Sequence, residues 1–376
     1  MPVSDALITA DTMPHADDVL ARDVAFHLGE REQYEVHSIA EVCATRPVPD
    51  NAFLCVCLGA RKFIAGAAYQ EACEIGPDGI RAKRGRLTRK QNRALKVIAR
   101  DRPFMDPSLP YAFELRDGRE YDYAALFGTE KPIPVFQHHR RKGLAAIVHP
   151  FSQHHQYTSS GLPPVNDTIP FAEKLPKIFW RGSLTAHLDT PFGRITAGRL
   201  LKMNNLDDGQ KLPFLRQSPR FALCEAYANS DFVDAGLVIP WGEQGYPAQP
   251  AALERFCRPR SPVEEHCRYR YVLALDGYDG PSCWFWMVST NCLIFRQESS
   301  WLMFGDCYFE PWVHFVPIAA DGSDLEEKFL WCERNIAACE RMVRNANCAS
   351  SILFDPAQQV NRRRAVLETY NSWLRS

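Results

Sequence analysis

The sequence predicts an α/β fold in two domains, and three observations carry that expectation. At 376 residues the chain is too long for one ordinary core and suits two domains of roughly 150–200 residues. After about residue 165, short apolar runs alternate with charged helical stretches, the pattern of a parallel sheet flanked by helices. Residues 269–295 read as strand, Gly-rich turn, helix, strand, which is a βαβ unit. With 46% hydrophobic and 24% charged residues, apolar side chains suffice for two cores.

Taken in order, residues 19–45 show no firm period, and 53–60 with 63–69 read as a hairpin or as two buried strands. Residues 81–100 hold nine Lys/Arg and no acid, with Leu87, Ala94, Leu95 and Ile98 near one helical face. This is a basic amphipathic helix: either a solvated face, or a patch for an anionic acceptor or an anionic membrane surface. Pro134-Val-Phe136 and the apolar run 144–148 look like strand ends emptying into loops, and 151–176 is the linker candidate. Further short apolar runs lie at 178–180, 192–204, 232–239, 269–275, 292–295 and 314–318, with amphipathic helices expected over 325–342 and 357–375. The expected division is therefore an N-terminal α/β domain (1–165), a Rossmann-like domain (166–350), and a terminal helix (351–376) packing back on the first.

The net charge of -1 argues against a protein built to embrace nucleic acid. No apolar stretch approaches the ~20 residues of a membrane span, and no basic-then-apolar leader opens the chain. Thirteen cysteines, an odd number in a chain of this size, read as reduced thiols, so a cytoplasmic location is expected. Cys55-x-Cys57, His138-His139 and His154-His155 lack the ligand spacing of a zinc site, and no metal is expected.

Three segments carry chemistry. Lys177-Ile-Phe-Trp-Arg-Gly-Ser183 is a strand running into Arg181, Gly182 and Ser183, where Gly permits close backbone approach and Ser183 and Thr185 offer hydroxyls. A helix starting near Pro191 would carry Arg194 in its first turns, and a helix start with a fixed guanidinium suits a diphosphate. The strand 269–275 ends in Asp276-Gly277, followed by Tyr-Asp-Gly280-Pro-Ser282 and an apolar helix. Its turn lies where nucleotides bind in open α/β sheets. In Glu310-Pro-Trp-Val-His-Phe-Val-Pro317, Trp312 and His314 read singly as core side chains, and Asp324 as the N-cap of the next helix.

Together KIFWRGS at 177–183, YRYVLALDG at 269–277, the spacing to Asn291-Cys-Leu-Ile-Phe295 and EPWVHFVPI at 310–318 resemble glycosyltransferase family 90. That group includes capsule-associated proteins, protein O-glucosyltransferases and lipopolysaccharide-modifying enzymes. The resemblance covers about 170–345, with a weaker upstream match at 134–136 and 146–150. It implies a GT-B arrangement: two facing Rossmann-like domains, a nucleotide sugar held by the second and an acceptor mainly by the first. It further implies inverting transfer from a UDP-sugar, used as co-substrate with no cofactor or metal. Arg181, Gly182, Ser183, Thr185, Arg194, Tyr271, Asp276, Gly277, Gly280 and Ser282 are then expected around the donor. The acceptor would be a glycan or glycolipid precursor of the cell surface, such as lipopolysaccharide or capsule, met at the inner membrane through 81–100.

Two positions depart from the family pattern. Where it has an Asp thought to be the base, this chain has Ala146. Where it has an Arg after Asp-Gly, this chain has Cys283. His149 and His154 are the nearby candidates for a base. The other reading is a catalytically weakened nucleotide-sugar-binding protein of the same fold.

Overall fold

The computed structural model describes residues 16–36, 39–45, 53–60, 62–65, 73–76, 79–83, 89–116, 120–149 and 165–376. The described residues up to 149, with Ser300–Tyr308 and Ser351–Ser376, form one compact unit; those from 165 to 299, with Phe309–Ser350, form the other.

In the first unit, α1 (Ala16–Leu28) precedes a five-stranded mixed sheet. β1 (Phe53–Cys57) and β2 (Lys62–Ala65) pair antiparallel with Leu54 opposite Ala65, so the hairpin reading of this stretch is the observed one. After the small hairpin of β3 (Cys73–Gly76) and β4 (Gly79–Ala82), α2 (Arg89–Asp101) buries Ala94, Leu95, Val97 and Ile98 while Lys96 and Arg100 stay exposed. β5 (Pro110–Glu114) pairs antiparallel with β1, whereas β6 (Val135–Gln137) and β8 (Ile147–Val148) continue the sheet in parallel. β7 (His139–Arg141) lies between β6 and β8 in sequence but leaves this sheet. Only part of the sheet is parallel, because the tight connection between β1 and β2 permits no crossover.

The second unit has a wholly parallel sheet. β9 (Leu175–Gly182) is followed by a hairpin of β10 (His187–Thr190) and β11 (Gly193–Thr196), then by α3 (Pro219–Ala226) and β12 (Val233–Leu237). β13 (Tyr269–Ala274), α4 (Trp284–Met287) and β14 (Leu293–Gln297) form the βαβ unit expected from the sequence. β15 (Trp301–Met303) pairs antiparallel with β7 and so belongs to the first unit, although the sequence places it in the second domain. Such a pairing joins residues some 160 apart and leaves no local signature. β16 (Val316–Ile318) completes the sheet, whose order is β12-β9-β13-β14-β16. Within this sheet, the first strand in sequence stands second. β12 adds on one side of it and β13 on the other, so the strand order reverses between β9 and β13. A crevice opens at the carboxyl ends of strands at such a switch point.

Both faces of this sheet are covered, and Ile178, Tyr271, Leu273, Leu293, Phe295, Val316 and Ile318 pack in one core. The single helix expected over 325–342 is two, α5 (Leu325–Arg334) and α6 (Ile336–Leu353), broken at Asn335, whose side chain caps the carbonyl of Trp331 at 2.8 Å. Asp324 does not cap α5 through its side chain; its carboxylate accepts from the Ala319 N–H at 2.8 Å and pairs with Lys328. The last helix, α7 (Pro356–Arg375), packs Val366, Leu367 and Tyr370 into the first unit's core. Asn371 pins it there by accepting from the Tyr111 hydroxyl at 2.5 Å and donating to the Phe104 carbonyl at 3.0 Å.

Candidate functional site

The crevice at the switch point is real: a cleft of about 350 Å³ is walled by Trp180, Arg181, Gly182 and Ser183 from the end of β9, and by Ser282, Cys283 and Trp286 from the turn after β13. Arg220, Arg260 and His266 also line it.

Arg220 organises the floor. It stands second in α3, where a cation opposes the helix dipole, and it answers that by gathering oxygens from two turns. Its Nη1 donates to the Ser183 carbonyl at 2.9 Å and the Thr185 hydroxyl at 2.7 Å. Its Nε donates to the Asp276 carbonyl and its Nη2 to the Leu275 carbonyl, each at 2.9 Å. One guanidinium thus ties the β9 turn to the β13 turn. Burial draws its pKa below the ordinary value, an effect opposed by Cys283, Asp276, Asp279 and Tyr278. Gly277 is required beside it: a Cβ there would meet Thr185 Oγ1 at 2.4 Å and Arg220 Nη2 at 3.0 Å. Sequence reasoning missed Arg220. The available signal was a Pro-started helix with an Arg in its first turn.

Asp276 lies under this network. Its Oδ2 accepts from the Ser299 hydroxyl at 2.6 Å, while Oδ1 is buried with no hydrogen-bond partner among the described residues. Burial pushes its carboxyl up to about 6, against the opposing pull of Ser299, Arg296 and Arg220. Gly280 is buried, and Ser282 is exposed on the rim.

Other expected residues stand differently. Arg181 walls the cleft, but its guanidinium stacks on Phe179 at 4.3 Å and pairs with Asp234 Oδ1 at 2.7 Å, so its charge is already answered. Gly182 is needed for the Trp180 indole, whose Cζ2 would lie 2.3 Å from a Cβ. Arg194 does not open a helix. It is an exposed residue of β11, because Gly193 at φ +90° turns the chain into a hairpin and the next helix starts only at Ala197. Tyr271 is not at the cleft: it is fully buried mid-strand, donating to Glu333 Oε1 at 2.5 Å. His314 is a satisfied core imidazole whose Nδ1 accepts from the Glu310 N–H at 2.9 Å, and Trp312 packs edge-on against Trp331 at 5.2 Å.

In the first unit, Ala146 is buried and its carbonyl accepts from Arg140 at 3.0 Å. Beside it a cavity of about 820 Å³ is walled by Gly29, Glu30, Asp122, Arg140, Leu144 and Ala145. His149 is buried, with Nε2 3.0 Å from Asp101 Oδ2. A carboxylate only accepts, so Nε2 carries the proton and Nδ1 is the ring's acceptor. Burial holds His149 below the ordinary histidine value, so the ring is neutral near pH 7. Burial alone would raise Asp101, but His149 and Arg363 hold it below the ordinary carboxylate range. His154 lies outside the described residues.

The sequence also gave no sign that Asp167, Cys267 and Cys292 meet, with candidate ligand atoms within 4.8 Å of one another. Lys174 Nζ already donates to both Asp167 oxygens at 2.9 and 2.8 Å, which leaves that carboxylate engaged by a cation. Among the described residues, no helix is long and apolar enough to cross a membrane.

Residues 241–349, which include the β13 turn and α4, match the model of glycosyl transferase family 90. Over that stretch the chain is similar to family 90. The resemblance read from its motifs therefore holds. The O-glucosyltransferase LpsA of Dichelobacter nodosus is 26% identical over 211 residues, 55% of this chain and 53% of that protein. Uncharacterized protein 179R of Invertebrate iridescent virus 6 is 24% identical over 204 residues, 48% of this chain but 15% of that protein. Protein O-glucosyltransferase 3 of Rattus norvegicus is 26% identical over 103 residues, 27% of this chain and 20% of that protein. The chain thus spans about half the length of LpsA and a smaller part of the other two.

Proposed function

We propose that this chain is an inverting glycosyltransferase that takes a UDP-sugar in the switch-point cleft and passes its hexosyl or pentosyl unit to a cell-surface glycan precursor. The observation that carries the reading is Arg220, which joins the β9 and β13 turns at the cleft floor inside a parallel sheet whose turn falls in the family 90 match. A departing diphosphate must be neutralised as it leaves. Arg220 and the exposed rim residue Arg260 supply positive charge there, with Ser183 and Ser282 as hydroxyl donors. Arg220 lies beside Cys283 and supplies from another element the guanidinium that the family pattern places at that position. This division of labour needs no metal.

In the same reading the two units form a GT-B pair, and the larger cavity beside Ala146 receives the acceptor. His149, the candidate base read from the sequence, is held by Asp101 through Nε2, but it is buried and does not wall that cavity. The protein would work in the cytoplasm, meeting the inner membrane through the exposed Lys96 and Arg100 of α2. The absence of a carboxylate at Ala146 favours one alternative, a nucleotide-sugar-binding protein with weakened turnover. Donor consumption decides between them. Release of UDP from UDP-glucose, UDP-galactose or UDP-xylose by the pure protein supports the enzyme. Binding without release at any pH supports the alternative.

A further inference from the structure

Between β12 and β13 the chain passes through Arg255-Phe-Cys-Arg258-Pro-Arg260, and the donor reading uses only the last of these three arginines. The bend is fixed in place. Phe256 buries its ring edge-on against Phe221 at 5.2 Å. The Leu237 N–H donates to the Phe256 carbonyl at 2.8 Å, and the Arg258 N–H donates to the Leu237 carbonyl at 2.9 Å, so Cys257 lies beside the end of β12. Arg258 lays its stem across that strand end where Gly236 leaves room: a Cβ at Gly236 would fall 2.2 Å from Arg258 Cγ and 2.7 Å from its Cβ. The guanidinium is held at one end only. Its Nη1 donates to the Arg255 carbonyl at 3.0 Å and to the Cys257 carbonyl at 2.8 Å. Nε and Nη2 form the edge that grips a carboxylate or phosphate through two parallel bonds. They have no partner among the described residues, and Arg258 is exposed. Arg255 is exposed on the same bend, over the Phe256 ring at 4.5 Å. Glu225, drawn below the ordinary carboxylate range by Arg216 and then by Arg255, is already gripped by Arg216 at 2.7 and 2.9 Å.

We infer that Arg258, with Arg255 beside it, is an anion subsite that takes the phosphate or carboxylate of an acidic glycan, the acceptor of the transfer. The inference rests on the donor-cleft reading and deepens it by giving the acceptor a charge. Arg260, two residues on, and Val238, next after β12, both wall the cleft, whereas Arg258 does not. The subsite therefore borders the donor's place without being part of it. A discrete anion suits this bend better than a membrane surface does. A layer of lipid headgroups attracts any mobile cation and needs no immobilised fork. The bend also exposes no large apolar side chain that could enter a bilayer. Arg rather than Lys at the fixed position fits a planar, two-bonded grip on one anionic group.

The test is calorimetric titration of the full chain with trigalacturonate and mannopentaose phosphate, with maltotriose and mannopentaose as neutral controls, and with UDP. Wild type, Arg258→Gln, Arg258→Lys and Arg255→Gln are compared, each shown by thermal unfolding to be folded. Sedimentation with phosphatidylcholine vesicles, with and without phosphatidylglycerol, supplies the membrane arm. Wild type should bind at least one acidic glycan about tenfold or more tighter than its neutral control. Arg258→Gln should lose that margin, and Arg255→Gln a smaller part of it. Arg258→Lys keeps the charge without the fork and should fall between wild type and Arg258→Gln. UDP affinity should be the same in all four proteins. Equal binding of acidic and neutral glycans, or an acidic preference that survives in folded Arg258→Gln, overturns the inference. A parallel loss of UDP in Arg258→Gln overturns it by making Arg258 part of the donor site. Vesicle binding that depends on phosphatidylglycerol and on Arg258, with no glycan preference, overturns it in favour of a lipid surface. A wild type that prefers acidic glycans but binds no UDP keeps the subsite and removes the donor reading. One that binds UDP and no acidic glycan removes the subsite alone.

Discussion

Asp276→Asn should change how stability depends on pH more than it changes stability itself. The wild-type carboxyl has one oxygen held by Ser299 and one buried without a partner among the described residues, and burial pushes its pKa up to about 6. In the unfolded chain an Asp titrates near about 3.9. The folded state therefore binds the proton more tightly, and between those two values stability falls as pH rises. A difference of about two pKa units corresponds to about 3 kcal/mol, absent below pH ~4 and fully felt as a destabilisation above pH ~6. About 1.4 kcal/mol of it should be recovered on going from pH 8 to pH 5. The Asn variant cannot titrate. Urea unfolding of both proteins at pH 5, 6, 7 and 8 isolates the difference, because every other group titrates alike in the two. The wild type minus variant stability should rise by about 1–1.5 kcal/mol from pH 8 to pH 5. A flat difference, or a slope of opposite sign, would show that the carboxyl is not desolvated as described.

Gly277→Ala should destabilise by about 1–3 kcal/mol, since its Cβ would press on Thr185 and Arg220 with little room to move; an unchanged melting temperature would mean that the two turns are not joined as seen. Tyr271→Phe should cost about 1–2 kcal/mol through loss of the hydroxyl on Glu333, with UDP affinity unaltered, and a tenfold loss of affinity would return this residue to the cleft. Lys174→Met leaves the Asp167 carboxylate buried and unpaired, so about 3–5 kcal/mol of stability should go; a shift below about 1 kcal/mol in urea unfolding would mean that the pair is solvated.

The sheet of the second unit was legible because two of its strands have marked ends: Arg181-Gly182 closes β9 and Asp276-Gly277 follows β13. Which side chains reach the cleft was less legible. In a sheet buried on both faces, alternation no longer distinguishes the two sides, so Tyr271 read as well for a contact as for core. Its place in mid-strand, away from the carboxyl end, was the usable clue. Arg194 was misplaced because Pro191 suits both a helix start and a turn; Leu188 and Ile195, buried on one face of the hairpin, were the strand signal. Arg220 lies 37 residues from Ser183 and 56 from Asp276, and only the folded chain brings them together. The pairing of β15 with β7 was hidden for the same reason.

The central claim is that the switch-point cleft binds a nucleoside diphosphate through its arginines. The most direct measurement is a calorimetric titration of the full chain with UDP, with and without Mg²⁺, alongside Arg260→Ala. Arg260 is exposed on the rim and makes no hydrogen bond or ion pair among the described residues, so the substitution leaves the fold untouched. The account predicts saturable UDP binding without Mg²⁺, weakened about five- to tenfold in the variant by loss of one charge-assisted contact. A folded wild-type protein that binds no UDP, or binds it equally well without Arg260 and only with Mg²⁺, would contradict it.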